Sequence, residues 1–200
     1  MKTIKEQKVE TIEIKKSKFI AYCYQITNEV EIKKLIDSIR KEHKTARHVV
    51  YAYKLNAIEK YDDDKEPNKT AGFPILEIIN YRELTNVLII VVRYFGGIKL
   101  GAGGLTRAYA QAATNVLDNC GEINLIPGYE VTIKGHIKDY NTINYILTNH
   151  QIKILKREIT NVFNLVVEIK KDDYNQITKE IMGKNHEINI MIEKERLVVC

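Results

Sequence analysis

A glycine-rich loop is the segment whose residue types and spacing are best suited to chemistry. It reads Arg93-Tyr-Phe-Gly-Gly-Ile-Lys-Leu-Gly-Ala-Gly-Gly-Leu-Thr-Arg107 and lies between an apolar run and a helical pattern. Glycines permit positive φ and a close approach of the backbone, so successive N–H groups can point into one concavity, and the N-terminus of a following helix adds partial positive charge. The loop therefore suits phosphate or another anion.

The charges around this loop favour the same chemistry. No carboxylate occurs from Leu84 through Leu117, and a second basic run precedes the loop in the chain at Lys41, Lys44, Arg47 and His48. Lysine and arginine contact phosphates as a point charge and as a planar fork, respectively, and glycine amides can complete the cradle. We predict an anion or nucleic-acid phosphate site at Arg47, His48, Arg93, Gly97, Lys99, Gly101, Gly103, Gly104 and Arg107.

The loop departs from the two common nucleotide-binding motifs. A Walker A loop needs Lys and Ser or Thr where this chain has Ala102 and Gly103, and the dinucleotide fingerprint needs a third glycine where Thr106 stands. A mononucleotide enzyme is thereby disfavoured. The alternative to an anion site is a tight crossover whose glycines only let a helix pack on the sheet, with Tyr94 and Phe95 in the core.

A second constellation could support hydrolysis. A histidine at a strand start could act as a general base, a carboxylate of the acidic cluster could orient it, and a threonine hydroxyl could be the nucleophile. The simpler alternatives are a packed histidine and a solvated acidic loop. The cluster lacks the EF-hand spacing and its glycine, so no metal is expected there. No cofactor is expected either. The candidates are His48 with Asp63, Asp64 or Glu66, and Thr45 or Thr70.

Composition places these residues in an ordinary globular protein. The 200 residues are 44% hydrophobic and 28% charged, with a net charge of +5. Residues 1–127 contain 20 Lys and Arg against 16 Asp and Glu, whereas residues 128–200 contain 11 against 10, so the basic excess belongs to the first part. The sequence has no window of about 18 consecutive apolar residues, so a membrane span is not expected. The three cysteines (Cys23, Cys120 and Cys200) show no ligand spacing, and the start resembles no secretory signal, so a cytoplasmic location without structural zinc is expected.

Hydrophobic periodicity predicts an α+β protein of two domains, residues 1–127 and 128–200, divided at a Pro127-Gly128 turn. The first domain should contain an edge hairpin (8–16 and 19–26), a helix (29–43), a strand (49–53), a polar loop (56–69), a helix starting at 70–74, a central strand (86–93) and a helix over 103–120. The second should follow the β-α-β-β-α-β order of a ferredoxin-like domain, with strands 129–137, 152–157, 162–169 and 188–199 and helices 139–149 and 172–182, capped by Asp139 and Asp172.

Several ordered blocks of the sequence resemble the IMPACT family, in its bacterial YigZ-like branch. They cover about half of the chain and read Ala46-Arg-His48, Glu66-Pro67, Thr70-Ala-Gly-Phe-Pro-Ile-Leu76, Leu84-Thr-Asn-Val87 and the whole glycine-rich loop through Tyr109. The family's acidic loop usually reads Asp-Asp-Gly-Glu-Pro-Ser-Gly-Thr-Ala-Gly. Here Lys65 and Lys69 replace its two glycines and Asn68 its serine, so the resemblance does not carry a tight turn or a metal role over to this loop.

The resemblance implies a fold and a field of activity. The N-terminal domain would have the fold of the second domain of a small-subunit ribosomal protein, S5, and the C-terminal domain would resemble the last domain of elongation factor G. Eukaryotic relatives regulate translation by binding proteins. The hypothesis is therefore a cytosolic regulator of translation without chemistry of its own, which binds RNA or ribosome-associated partners through the glycine-rich loop. A small hydrolase and a pure protein-interaction module are the alternatives.

Overall fold

The computed structural model describes residues 1–184 and 187–199. The chain divides into two compact units, Met1–Ile123 and Asn124–Cys200, four residues before the boundary expected from the sequence. Cys200 lies outside the described residues, whereas Cys23 and Cys120 are buried free thiols. In the described part of the chain, no helix is both long and apolar enough to cross a membrane.

The first unit has three layers, with a five-stranded sheet between helices. The sheet is antiparallel in the order β2-β3-β6-β4-β5. One helix covers one face, and two helices cover the other. The elements in chain order are β1 (Lys2–Ile4), β2 (Lys8–Ile14), β3 (Ser17–Gln25), α1 (Glu29–Glu42), β4 (His48–Leu55), β5 (Ile58–Asp62), α2 (Gly72–Tyr81), β6 (Val87–Tyr94) and α3 (Ala102–Cys120).

The central strand β6 confirms the sequence prediction and explains its continuous apolar run. Residues 87–92 are all fully buried, because alternate side chains enter the two cores on opposite faces of the sheet. The core on one side is closed by α2 and α3, and the core on the other by α1. β6 ends at Tyr94, so the glycine-rich loop starts from the end of a strand that is buried on both faces.

The ends of α1 and α3 also follow from local sequence. Asn28 caps α1 by accepting a hydrogen bond from the Glu31 amide at 2.9 Å, as the capping pattern predicts. Gly101 precedes α3 at φ 72° and ψ 166°, and Gly121 follows it at φ 64° and ψ 164°. This backbone region is open essentially to glycine alone, so both ends of α3 depend on that residue type.

Two sequence predictions for the first unit are wrong. β5 occupies part of the expected polar loop 56–69; its side chains are mostly exposed, so no alternation marked it as a strand. β3 is not an edge strand, because β2 and β6 flank it and Phe19, Ala21 and Cys23 are buried. Only β2 of the predicted hairpin lies at the sheet edge.

The second unit has an antiparallel sheet whose strands follow the order β10-β7-β9-β8, with helices packed through one core. Its element order matches the β-α-β-β-α-β expectation. The elements are β7 (Glu122–His136), a 3₁₀ turn (Ile137–Asp139), α4 (Tyr140–Asn149), β8 (Lys153–Ile159), β9 (Val162–Lys170), α5 (Lys171–Met182) and β10 (Asn189–Val199).

The predicted turn and caps in this second part need correction. Pro127 and Gly128 do not turn the chain, because both lie within β7, where β10 pairs with them. A Cβ at Gly128 would lie 2.7 Å from the Ile169 carbonyl oxygen, so glycine serves close packing there. Asp139 makes no side-chain capping hydrogen bond to α4, and Asp172 lies inside the first turn of α5 after Lys170.

Candidate anion-binding cleft

A cleft of about 290 Å³ opens in the first unit where the glycine-rich loop meets α3. Its walls combine exposed cations with apolar side chains. The residues come from the start of β4, the acidic loop, the end of β6, the glycine-rich loop and the first turn of α3: Arg47, His48, Glu66, Pro67, Arg93, Phe95, Lys99, Leu100, Gly101, Ala102 and Leu105.

The structure gathers part of the predicted set at this cleft. Arg47, His48, Arg93, Lys99 and Gly101 line it. The remaining predicted residues lie near it on the loop or on α3 without lining it: Gly97, Gly103, Gly104 and Arg107.

Glycine geometry fixes the course of the loop. A Cβ at Gly96 would lie 1.9 Å from the Lys16 carbonyl carbon, and the Gly96 amide donates to the Ser17 hydroxyl at 3.2 Å. Gly97 has φ 85° with open space around its Cα, so its requirement is conformational. A Cβ at Gly104 would come within 3.1 Å of Leu100, so this glycine lets the loop pack on the helix.

The N-terminus of α3 borders the cleft through Gly101 and Ala102. The first intrahelical hydrogen bond is donated by Leu105 to the Gly101 carbonyl at 2.9 Å. Helix geometry leaves the amides before it, those of Ala102, Gly103 and Gly104, without an intrahelical acceptor, and Gly101 has no side chain to cap them. No acidic side chain occurs in the first turn. These amides and the helix dipole favour an anion.

A buried polar network lies beneath the cations. Glu66 and Arg93 are buried, and one oxygen of Glu66 accepts from Arg93 Nη1 at 2.6 Å and from the Tyr109 hydroxyl at 2.9 Å. Burial and the neighbouring Glu66 raise the pKa of Tyr109 well above its usual range. The guanidinium of Arg93 also lies 5.5 Å from the Phe19 ring centroid and 5.7 Å from that of Phe95.

This network changes the charge expected at the loop. The interval Leu84–Leu117 lacks carboxylates in sequence, but the fold inserts Glu66 beside Arg93. Arg93 therefore holds an internal ion pair, whereas Arg47, Lys99 and Arg107 are exposed. The accessible positive charge of the site belongs to those three side chains.

The carboxylates proposed for hydrolysis hold the acidic loop in shape. Asp63 accepts from the amides of Lys69, Ala71 and Gly72 at 2.8, 3.0 and 2.7 Å, which closes the loop onto the start of α2. Asp64 accepts from the Val49 amide at 2.6 Å and lies 3.5 Å from Arg40 Nη2. Both carboxylates thus have structural partners.

His48 is held with one ring nitrogen near Glu66. Its Nδ1 lies 2.8 Å from the main-chain carbonyl oxygen of Asp64, so Nδ1 must donate, and its Nε2 lies 3.7 Å from the Glu66 carboxylate. Thr70 donates to the Pro67 carbonyl at 2.6 Å, and Thr45 is exposed. The orienting contact of His48 is therefore a carbonyl, where the sequence hypothesis placed a carboxylate.

The two lysines at family glycine positions keep the backbone that glycine would adopt. Lys65 has φ 68° and Lys69 has φ 59°, both in the left-handed region. The chain thus makes left-handed turns at both positions without glycine, and the Asp63 hydrogen bonds close the loop around them. In residues 1–184 and 187–199, no group of three or more His, Cys, Asp and Glu is placed to hold a metal ion.

Sequence reasoning missed the apolar half of the cleft and the inner partner of Glu66. Phe95 was considered only as core, yet this residue is 41% exposed and lines the cleft. Leu100 and Leu105 belong to the predicted loop and helix but carried no functional signal. Tyr109 lies 43 residues from Glu66 in the chain, so only the fold brings them together.

The fold and cleft define a two-unit α+β protein with a glycine-rich loop before a helix N-terminus. The family profile described as the Impact N-terminal domain matches residues 15–117. The chain is 32% identical over 151 residues to IMPACT family member YigZ of Escherichia coli, covering 73% of this chain and 74% of that protein. The chain belongs to the IMPACT family.

Two further comparisons extend this result. IMPACT family member YvyE of Bacillus subtilis is 42% identical over 124 residues, which are 60% of this chain, and the match spans only 57% of YvyE. A crystal structure described as that of a hypothetical protein aligns with a TM-score of 0.69 and 25% identity, covering 96% of this chain and 97% of that one.

Proposed function

We propose that this IMPACT-family chain is a cytosolic, non-enzymatic regulator of translation that binds RNA, or ribosome-associated RNA and protein, through its glycine-rich loop. The observation that carries the proposal is the cleft at the N-terminus of α3, where free helix amides lie beside exposed cations. Its domains are an IMPACT-type N-terminal domain and a C-terminal companion domain.

The contacts would be made to phosphates. Lys99 is exposed at the cleft, and Arg107 is exposed on the second turn of α3, with Nη1 3.7 Å from where a Cβ of Gly103 would lie. Arg107 thus lies along the helix start that a phosphate would approach. Contacts to the nucleic-acid backbone carry little sequence information. The affinity for RNA should therefore fall steeply as the salt concentration rises and depend only slightly on the RNA sequence.

The link to translation comes from the family resemblance, which also supports the finer fold assignment. A fold like that of the second domain of ribosomal protein S5 is proposed for the first unit. A ferredoxin-like fold is proposed for the second, supported by its element order and by the antiparallel order β10-β7-β9-β8.

The test is a titration of single-stranded RNA at several salt concentrations. We expect Lys99→Ala combined with Arg107→Ala to weaken binding and to reduce the salt slope by about 0.7 log unit per lost phosphate contact. Lys33→Ala combined with Lys34→Ala removes the same charge from the exposed side of α1 and is the matched control. Equal affinity and equal salt slope in the two double variants would refute the proposal.

A hydrolase is the second candidate, and one observation favours it: His48 is fixed through Nδ1, with Nε2 near the Glu66 carboxylate at the cleft. Turnover in a screen of esters, phosphate esters and peptides, abolished by His48→Ala, would place the hydrolase above RNA binding.

A pure protein-interaction module is the third candidate function. It would co-purify with a protein partner after nuclease treatment and in high salt.

A further inference from the structure

The charge, size and lining of the cleft define a narrower ligand than RNA in general. Its volume of about 290 Å³ lies just below the range of about 300 to 1,000 Å³ that is usual for small-molecule sites. A pocket of that size holds one nucleotide and not a continuous strand. Among the nucleotides of a chain, a terminal one fits such a pocket with a chain connection on one side only.

The lining separates into a charged part and an apolar part. Arg47, Lys99 and the amide end of α3 form the charged part. Pro67, Phe95, Leu100 and Leu105 form the apolar part. A phosphate group and a flat, weakly polar base need these two environments side by side.

The charge balance favours a phosphate monoester over a diester. Among the described lining residues, Arg47, Arg93 and Lys99 oppose the single carboxylate of Glu66, which leaves a formal excess of two positive charges when His48 is neutral. A phosphate monoester carries about −1.5 to −2 at neutral pH because its second pKa is about 6. A diester within a nucleic-acid chain carries a single negative charge, so it would leave the excess unmatched.

A buried donor provides an independent indication that the site takes a ligand. Arg93 is 5% exposed and lines the cleft, and its Nε has no hydrogen-bond partner among residues 1–184 and 187–199. Buried donors in folded proteins almost always have partners, and an unpaired one costs about 1 to 3 kcal/mol. This unpaired donor belongs to a side chain that lines the cleft, as does the Gly101–Ala102 start of α3.

We infer that the cleft binds a terminal nucleotide that carries a phosphate monoester, either at a phosphorylated RNA end or as a free nucleoside monophosphate. The phosphate lies at the amide end of α3 with Arg47 and Lys99 beside it. The base packs against Phe95 and Leu105. The inference rests on the proposed RNA-binding function and names the part of the RNA that this site recognises.

The experiment compares three versions of one short single-stranded RNA by fluorescence polarisation: a 5′-phosphate, a 3′-phosphate and unphosphorylated ends. We expect at least one phosphorylated form to bind about ten- to a hundredfold more tightly than the unphosphorylated form, the effect of one additional charged hydrogen-bonding group. Adenosine monophosphate should compete, whereas adenosine and inorganic phosphate at equal concentration should compete far less.

Two single-arginine variants distinguish the cleft from the surrounding surface. Arg47→Ala, at the cleft, should abolish the preference for the phosphorylated end. Arg157→Ala, at an exposed side chain of the second unit that does not line the cleft, removes the same charge and should keep the preference. Both side chains are exposed, so neither change should unfold the protein, and circular dichroism checks this.

The outcomes separate this inference from the proposed function. RNA binding with equal affinity for all three ends, or competition by inorganic phosphate as strong as by the nucleotide, would overturn the inference and leave RNA binding intact. Binding of adenosine monophosphate without binding of any RNA would support a nucleotide with a phosphate monoester as the ligand of the cleft. The ligand would then be the free nucleotide, and the proposed RNA binding would be refuted.

Discussion

The buried ion pair beneath the cleft gives the sharpest prediction for stability. In Glu66→Gln the side chain keeps its shape and an oxygen acceptor but loses its charge. The side chains of Glu66 and Arg93 are only 4% and 6% exposed, so water cannot compensate the charge left on Arg93. Breaking a buried pair by neutralising one partner costs about 3 to 5 kcal/mol, a large part of the 5 to 15 kcal/mol that typically stabilises a domain.

The assay is urea unfolding followed by far-UV circular dichroism, because the chain contains no tryptophan for fluorescence. Hydrogen exchange of the β6 amides assigns the loss to the first unit. Glu13→Gln makes the same chemical change on the exposed face of β2 and should alter the free energy of unfolding by less than about 0.5 kcal/mol.

A second variant tests the cause. Adding Arg93→Met to Glu66→Gln removes the uncompensated charge, so this double variant should be more stable than Glu66→Gln alone. A Glu66→Gln protein within about 1 kcal/mol of the unmodified chain would show that water or another group compensates Arg93. A double variant that costs the sum of its two single changes would show that the two residues are not coupled.

Two further predictions concern the same region. Lys65→Gly should raise the free energy of unfolding by about 0.5 to 1 kcal/mol, because relief from the left-handed backbone exceeds the entropy cost of glycine. The control Lys60→Gly, in the extended strand β5, should lower it. Urea unfolding measures both variants, and a loss of stability in Lys65→Gly would contradict the strain argument. Stability should also fall above about pH 10, because unfolded tyrosines ionise there while folded Tyr109, whose pKa is raised by burial and Glu66, keeps its proton. The free energy of unfolding should lose about 1.4 kcal/mol per pH unit from this group, and Tyr109→Phe should remove that part of the decline; an unchanged slope in the variant would contradict the assignment.

Local sequence signals predicted much of this fold and only part of the site. Asn28 and Glu31 marked the start of α1, and the apolar run over 87–92 marked β6, because capping and two-sided burial leave their signature within a few residues. β5 left no such signature, because an exposed strand at a sheet edge is held by its pairing with β4 rather than by its own burial.

The chemistry of the cleft depends on distant residues that no local pattern connects. The glycine-rich loop was visible in the sequence as a place for an anion. The neutralisation of Arg93 was not, because Glu66 reaches it from 27 residues away across the sheet. The apolar wall was also missed, since Leu100 and Leu105 resemble ordinary packing residues until the loop and α3 are placed together.

The contact at Gly96 has a consequence for how the family can diverge. Gly96 packs so closely against the β2–β3 turn that a methyl group would overlap the Lys16 carbonyl carbon and lie 2.4 Å from the Ser17 amide nitrogen. That turn itself places Lys15 and Lys16 at φ 46° and 65°. A side chain at position 96 therefore requires a different turn. Across relatives, positions 15–17 and 96 should covary, and a hairpin of altered length should coincide with a rebuilt loop.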